Sequence, residues 1–377
     1  MKIVSVLTTH SSGGAEFAAV ELLDALAANG HETVMLSNQP DIGRGTAVTV
    51  RSIDLGPKLA VRTWRGLVLQ TPRLFAGIVR ALRAEAPFDV LLVHYKKEQL
   101  LAGLLPRAIA RRVVWAEWGP VPFPLRRGLP RQLYLAAARR AAAVLAISEG
   151  TRRSVVEVGV PEDRVVVAPN VMRTDELSFS PAGRARVRQQ LGIPSDAFVV
   201  GCISRFHPKK RNDVVVDATI ALDDPRVHLL MAGSGETEDA LREQARALGD
   251  RVHFVPTPGA DVADVISAFD VSVFCPSPTE GAPRAVILAM LAGRACVSTG
   301  AEGVHDLIPQ DGGHILAPEN DAAALRDVLA RYRDDEALMA RHGARAADEA
   351  RRTYDRAVVA AQVEAVLTGE PPRLVKV

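Results

Sequence analysis

Apolar residues in this chain fall in short unbroken runs that alternate with longer stretches of helical spacing. Residues 2–7 read as a strand. Residues 14–29 read as a helix, with Phe17, Val20, Leu23 and Leu26 on one stripe and Gly30 placed to end it. Residues 32–36, 89–93, 112–116, 143–147 and 164–167 continue the strand series. The segment from Asn170 to about Pro194 is polar and carries no strand pattern. A second series then begins at 198–204 and runs through 227–232, 252–255, 271–274, 295–298 and 314–316, separated by helices such as 236–248 and 321–332. A last helical pattern, one or two helices, covers about 346–367. Strands that are apolar on both faces, each followed by a helix, belong to a parallel sheet covered on both sides. The predicted fold is therefore α/β, with two Rossmann-like doubly wound domains. The first spans 1–180 and the second 181–350, with a hinge near 170–195. A C-terminal helix at about 350–377 can cross back onto the first domain.

Length and composition fit that architecture without adding to it. The chain has 377 residues, 48% hydrophobic and 24% charged, enough for two domains and close to the globular average. A net charge of +2 argues against a nucleic-acid binder. No apolar run approaches the ~18–20 residues of a membrane span, and the N-terminus is too short in apolar residues for a signal peptide. Cys202, Cys275 and Cys296 are few, odd in number and far apart, which fits a reducing cytoplasm and neither a disulfide frame nor a zinc site. Charge does change the picture. Residues 1–170 hold 22 Lys and Arg against 14 Asp and Glu, a net of +8, so residues 171–377 carry −6. The excess peaks at Arg107, Arg111 and Arg112, then at Arg126, Arg127, Arg131, Arg139 and Arg140. Such a surface suits an anionic partner, a phosphorylated acceptor or a peripheral contact at the inner face of a membrane. A merely solvated arginine-rich surface fits as well.

The candidate chemistry sits where strands hand over to helices. Gly13 and Gly14, with Ala15 and Glu16, follow the first strand. A glycine turn lets a ligand approach the backbone, and a helix start offers N–H groups to an anion; any tight βα loop also favours glycine. The spacing is not GxGxxG, so no nicotinamide or flavin site is indicated. Ser204 and Arg205 through Lys209 and Lys210 follow the first strand of the second series, and two fixed cations there suit a diphosphate or simply a solvated helix entry. Pro278 to Arg284 follow strand 271–274 and open a helix. In that run Glu280 could accept hydroxyl hydrogen bonds from a sugar, with the backbone of Arg284 and Ala285 meeting phosphate. Compensation of the helix dipole is its structural alternative. His10 and His94 end strands, where ligands bind, although a lone histidine is more often structural. Gly233, Ser234 and Gly235 form a further glycine turn.

Taken in order and spacing, these segments resemble the retaining, nucleotide-sugar-dependent glycosyltransferases of family 4, whose two domains face each other across a cleft in the GT-B fold. The resemblance covers most of the chain. It rests on Gly13-Gly14-Ala15-Glu16, Ala146-Ile147-Ser148-Glu149, Val165 to Asn170, Ser204-Arg205 with Lys210, Leu230 to Gly235, and Glu280-Gly281-Ala282-Pro283 with Ala289, Met290 and Gly293. It implies that Arg205 and Lys210 hold the donor diphosphate and offset charge on the departing nucleotide. Gly13 and Gly14 would close over that diphosphate, and Glu280 would bind donor-sugar hydroxyls. The segment around Phe254 and Val255 would hold the base, and Gly233 with Gly281, Ala282, Pro283, Arg284 and Ala285 would line the donor site. It implies a nucleoside diphosphate sugar as donor, with UDP the expected nucleotide, a hydroxyl acceptor, no metal and no protein nucleophile. His10, His94, Glu117 and Trp118 fall on the acceptor side.

Three positions depart from the family pattern. Leu288, on the same helix face as Arg284, stands where a glutamate usually binds the ribose. Trp118 stands where many members carry a histidine. Val171 replaces the glycine of a common Asn-Gly turn after Asn170. The reading that follows is an active retaining transferase. A catalytically weak sugar-nucleotide-binding relative or partner subunit, and a GT-B epimerase or phosphorylase, are the alternatives; an epimerase would need more carboxylates or histidines than these loops supply.

Overall fold

The computed structural model describes residues 1–9, 13–56, 64–175, 177–256, 261–277, 280–301, 303–316 and 321–370, with side chains from residue 70 in the third of these stretches. It divides into two compact units. Unit 1 holds Met1–Met172 and takes the chain up again from Arg356, and unit 2 is Arg173–Asp355.

Unit 1 is built in the order β1 (Lys2–Leu7), α1 (Gly14–Ala28), β2 (Glu32–Ser37), β3 (Thr49–Ser52), α2 (Trp64–Ala84), β4 (Val90–Val93), α3 (Lys96–Gly103), β5 (Arg112–Glu117), α4 (Gly128–Ala138), β6 (Ala141–Ala146), α5 (Glu149–Val158) and β7 (Val165–Val167). Unit 2 follows with α6 (Pro181–Leu191), β8 (Phe198–Ile203), α7 (Asn212–Ile220), β9 (Val227–Ala232), α8 (Glu238–Gln244), β10 (Val252–Val255), α9 (Val262–Ser267), β11 (Val271–Phe274), α10 (Arg284–Leu291), β12 (Ala295–Thr299), β13 (Gly313–Leu316), α11 (Ala322–Asp334) and α12 (Glu336–Tyr354). The chain then returns to unit 1 as α13 (Arg356–Thr368).

Both sheets are parallel throughout, ordered β3-β2-β1-β4-β5-β6-β7 and β10-β9-β8-β11-β12-β13. Each reverses direction once, between β1 and β4 and between β8 and β11, which is the doubly wound pattern. In β1, alternate residues feed opposite cores. Val4 and Val6 face Leu74, Ile78, Leu101 and Tyr134 of α2, α3 and α4, while Ile3 and Leu7 face Leu23 and Leu26 of α1 with Val363 and Val366 of α13. Burial on both faces is why these strands read as continuous apolar runs. In unit 2, Val200, Leu229, Met231 and Val273 pack with α7 and α11 through Val215, Leu325 and Tyr332.

Several expectations are corrected. Phe17 does not join the buried stripe of α1: it is 52% exposed, while Val20, Leu23 and Leu26 are buried. The segment expected to be a polar hinge contains helix α6, capped by Ser180 Oγ on the Gly183 N–H at 2.9 Å. Its arginines are what hold it: Arg184 and Arg188 each reach Asp270 and carbonyls at the end of α9. Predicted helix 236–248 is the shorter α8 followed by a 3-10 stretch interrupted at Gly249, φ +59°. The last helical pattern, read as one or two helices, is two, α12 and α13, divided at Asp355.

The unit boundaries fall at 172/173 and 355/356, where the expected ones were 180/181 and 350. Ser180 N–H bonds Ser267 Oγ at 2.9 Å, which ties the approach to α6 into unit 2. Asp355 and Arg356 are anchored in opposite directions. Asp355 Oδ2 accepts from Thr174 Oγ1 at 2.7 Å within unit 2, while Arg356 donates to Asp24 O at 2.7 Å within unit 1. Val171 takes no turn; it is 2% exposed and packs in the core of unit 1 beside α1 and α13.

Candidate functional site

Ligands of doubly wound sheets lie outside the carboxyl ends of the strands where the order reverses. In unit 2 that point is between β8 and β11, and the loops leaving those strands carry the expected residues. After β8, Ser204 Oγ donates to Asn212 Oδ1 at 2.9 Å, which fixes the start of the loop on α7. Arg205 is exposed, and its guanidinium makes no ion pair among the described residues. Phe206 turns into the core. His207 Nδ1 accepts the Lys209 N–H at 3.1 Å, so the neutral ring carries its proton on Nε2, 3.5 Å from Glu236 Oε1. Lys210 then points across to the neighbouring loop. Its Nζ donates to Glu280 Oε2 at 2.8 Å and stands 5.1 Å from the centre of the Phe274 ring at the end of β11. The Ser277 N–H adds a backbone bond to Lys209 O at 2.8 Å. The Lys210 and Glu280 side chains are 22% and 23% exposed. They are reachable, yet far enough out of water for their charges to act more strongly than on open surface.

Glycines let backbone pack on backbone around this pair. Gly233, at φ +154°, lies so close to Ser204 that a Cβ would meet its carbonyl oxygen at 1.9 Å, and at Gly235 a Cβ would meet Phe206 O at 2.2 Å. Phe206 N–H donates to Ser234 O at 2.9 Å, which pins the Arg205 loop from the same side. On the other side, Gly303 N–H donates to Glu280 O at 3.1 Å, and its missing side chain lets it lie against Gly281. In β10, Gly233 N–H bonds Val255 O at 3.0 Å, and Phe254 packs edge-on to Phe206 under the guanidinium of Arg242. Pro283 precedes α10 without capping it, and Ala282, Arg284 and Ala285 lead into the helix. Leu288 follows Arg284 by one turn and is half-buried. Glu280 itself lies before the helix, held by its loop.

Unit 1 gathers a second polar group at its own carboxyl edge, around β1, β4 and β5. Gly13 is the extended residue before α1, and Gly14 opens the helix; Glu16 in its first turn is buried and accepts from Tyr95 Oη. His94 is 2% exposed, with Nε2 2.7 Å from Ser5 Oγ and Nδ1 without a hydrogen-bond partner among the described residues. Burial pushes its pKa down to about 3, so the ring is neutral. Trp118 stacks on it, centroids 5.7 Å apart and planes 14° apart. Glu117, also buried, takes Lys96 Nζ on both carboxylate oxygens and the Tyr134 hydroxyl at 2.9 Å. Burial draws the Lys96 pKa down against the pull of Glu117. Glu98 is fully buried, accepts from Thr8 Oγ1, and is pushed up by burial, with Lys97 Nζ 3.8 Å away.

Residues read from the sequence thus appear in two sets, Arg205, Lys210, Glu280 and the glycines in unit 2, and Gly13, Gly14, His94, Glu117 and Trp118 in unit 1. His10 lies outside the described residues, as do Pro278 and Thr279 of the loop before Glu280. His94 and Glu117, expected on the acceptor side, are buried and held by protein partners. Thr8, Tyr95, Lys96, Glu98 and Tyr134 were missed. Tyr95-Lys96-Lys97-Glu98 directly follows β4, so the rule that singled out His94 was enough to find Tyr95, Lys96 and Glu98, whereas Tyr134, inside α4, carries no such signal. The three cysteines are buried and unpaired, with Cys202 and Cys296 each pushed up to about 12 by burial.

Comparison with known proteins agrees with both halves. Residues 12–176 match the model described as Glycosyltransferase Family 4, and residues 197–335 match that of Glycosyl transferases group 1. The D-inositol 3-phosphate glycosyltransferase of Kineococcus radiotolerans is 28% identical, the match covering 91% of this chain and 87% of that protein. The enzyme of the same name from Streptomyces avermitilis is also 28% identical, over 91% and 80%. Among solved structures, Anabaena HepE in complex with UDP and glucose superposes with a TM-score of 0.82 at 21% identity, covering 98% of this chain and 99% of that one. Sucrose-phosphate synthase from Thermosynechococcus elongatus gives 0.81 at 18% identity, covering 98% of each. These neighbours share the GT-B fold, and the two family matches together span most of the sequence. The chain belongs to the group 1, family 4 glycosyltransferases.

Proposed function

We propose that this glycosyltransferase moves a sugar from UDP to an acceptor hydroxyl with retention at the anomeric carbon, in the cytoplasm and without a metal ion. The observation that carries the reading is the Lys210–Glu280 pair, a cationic and a hydroxyl-accepting group at the switch point of one sheet, with Arg205 on the same loop as Lys210 and in no ion pair among the described residues. In this reading Arg205 and Lys210 grip the diphosphate. They take up the charge that develops as the bond from the anomeric carbon to phosphate oxygen breaks. Glu280, released from Lys210, accepts hydroxyl hydrogen bonds from the donor sugar. The acceptor oxygen bonds to the anomeric carbon on the face the phosphate leaves, and its proton passes to a phosphate oxygen of the departing UDP. Binding and orientation supply the rate.

HepE, solved with UDP, supports the nucleotide. The inositol phosphate named for the relatives makes a phosphorylated polyol the first acceptor to try. The test is release of UDP from a panel of UDP-sugars with and without that acceptor, in EDTA, with the anomer of the product read by NMR. Acceptor-dependent release giving the donor's anomeric configuration supports the reading. An inverted product, or activity lost in EDTA and restored by magnesium, overturns it.

A further inference from the structure

Unit 1 carries an apolar strip that its own core does not cover. Of the six large exposed hydrophobics among the described residues, four cluster here: Leu104 at the end of α3, Phe123 before α4, and Leu129 and Leu133 on α4, exposed by 62%, 68%, 66% and 54%. Leu129 and Leu133 stand one turn apart and share a face, while Tyr134, Ala137 and Ala138 of the same helix are buried. The end of α3 lies against α4, for a Cβ on Gly103 would meet the Ala137 methyl at 2.5 Å. That brings Leu104 beside the helix. Nothing in the transfer chemistry calls on these side chains.

The charge around the strip has one sign. From Gln99 to Ser148 the sequence holds eight arginines, at 107, 111, 112, 126, 127, 131, 139 and 140, and a single carboxylate, Glu117. Glu117 is buried and already taken by Lys96 and Tyr134. None of the eight arginines makes an ion pair among the described residues. Several are braced by carbonyls instead: Arg126 on Val121, Arg131 on Val158, Arg140 on Ala110. Arg127 lies over the exposed Phe123 ring, 5.5 Å from its centre. Helix α4 runs from the carboxyl end of β5 to the start of β6. Arg126 and Arg127 therefore stand between Phe123 and the two leucines of α4, and Arg139 and Arg140 follow the helix.

Apolar side chains in line on one helix, flanked at both ends by uncompensated guanidinium groups, match the pattern of a helix lying in the plane of a membrane surface. Docking of a second copy through the same face would set arginines against arginines, which opposes self-association. We infer that this face of unit 1 docks on an anionic phospholipid bilayer. Phe123, Leu129 and Leu133 enter at headgroup depth, and the arginines meet lipid phosphates. No helix among the described residues is long and apolar enough to cross a membrane, so the contact is peripheral. It stands whether or not the proposed donor and stereochemistry hold.

The test is co-sedimentation of the full chain with phosphatidylcholine vesicles, with and without phosphatidylglycerol, alongside light scattering of the free protein. Partitioning should rise at least about 10-fold with phosphatidylglycerol and fall as salt is added. Two variants, Phe123→Ser/Leu129→Ser/Leu133→Ser and Arg127→Glu/Arg139→Glu, should each lose at least about 10-fold of it with an unchanged melting temperature, because all five residues are exposed. Wild-type protein left in the supernatant of both vesicle types overturns the inference. So does binding that the folded variants retain, or a dimer that the triple serine variant dissolves.

Discussion

Lys210 Nζ and Glu280 Oε2, seventy positions apart in the chain, stand 2.8 Å from one another where the strand order of unit 2 reverses. Each satisfies the other's charge in the free protein, and a bound diphosphate would compete for the lysine. The partly exposed pair contributes at most ~1 kcal/mol to folding. Its loss in the presence of substrate removes a charge-assisted bond worth ~1.5–3 kcal/mol. Lys210→Ala is therefore expected to lower kcat/KM by about 10–150-fold while shifting the urea midpoint little. Turnover and unfolding measured on the same preparation check the split.

Arg205 behaves differently, because no carboxylate among the described residues holds it. Arg205→Ala should cost no measurable stability and about 10–150-fold in transfer, from the same charge-assisted bond of ~1.5–3 kcal/mol. Near wild-type turnover in a folded variant would remove Arg205 from the donor site.

Leu288 offers no oxygen to a ribose. Leu288→Glu is expected to tighten nucleotide diphosphate binding, by up to ~1–3 kcal/mol if the new carboxylate reaches the ribose hydroxyls. The position is half-buried, which leaves the charge partly solvated. Calorimetric titration of both proteins with UDP decides it; unchanged or weaker affinity means that this position does not face the ribose.

Gly233 has no room for a side chain and a φ of +154° that other residues rarely adopt. Gly233→Ala should destabilise unit 2 by ~2–4 kcal/mol, adding backbone strain to overpacking. It should also weaken donor binding, because the atom it strikes is the carbonyl of Ser204, next to Arg205. Unfolding curves and UDP titrations measure the two effects.

His94 links stability to pH. Its folded pKa lies near 3, below the ordinary histidine value of 6.5, so between those limits the unfolded chain binds the extra proton. Its contribution is complete above pH ~6.5 and is lost as pH falls, with a slope of at most ~1.4 kcal/mol per unit. His94→Gln, which can still meet Ser5, should flatten the stability profile between pH 5 and 7, as read by urea unfolding across that range. An unchanged slope would mean the buried ring does not titrate on unfolding.

The strand series was legible because burial on both faces leaves no polar interruption. Lys2–Leu7, Val227–Ala232, Val252–Val255 and Val271–Phe274 come out at the predicted limits. The donor-side motifs were legible for a similar reason: each follows a strand that could be read. What stayed hidden depends on partners distant in sequence. Helix α6 is a polar stretch held by Asp270, and Thr49–Ser52 is an edge strand with little apolar content. The exposure of Phe17 and the Lys96–Glu117–Tyr134 group exist only once β4, β5 and α4 are side by side. Periodicity reports which face of an element is buried, and not what lies against it.

The single peptide bond between Asp355 and Arg356 also sets an order of assembly. Unit 2 is one continuous stretch of chain, whereas unit 1 is interrupted by it and regains its last helix only at α13. The apolar face of α1 around Ala19, Leu22 and Leu26 has Val359, Val363 and Leu367 as part of its cover. During synthesis those residues leave the ribosome after all of unit 2. The domain begun first is thus the one completed last, and its nascent form carries an uncovered apolar face for as long as it takes to translate the other.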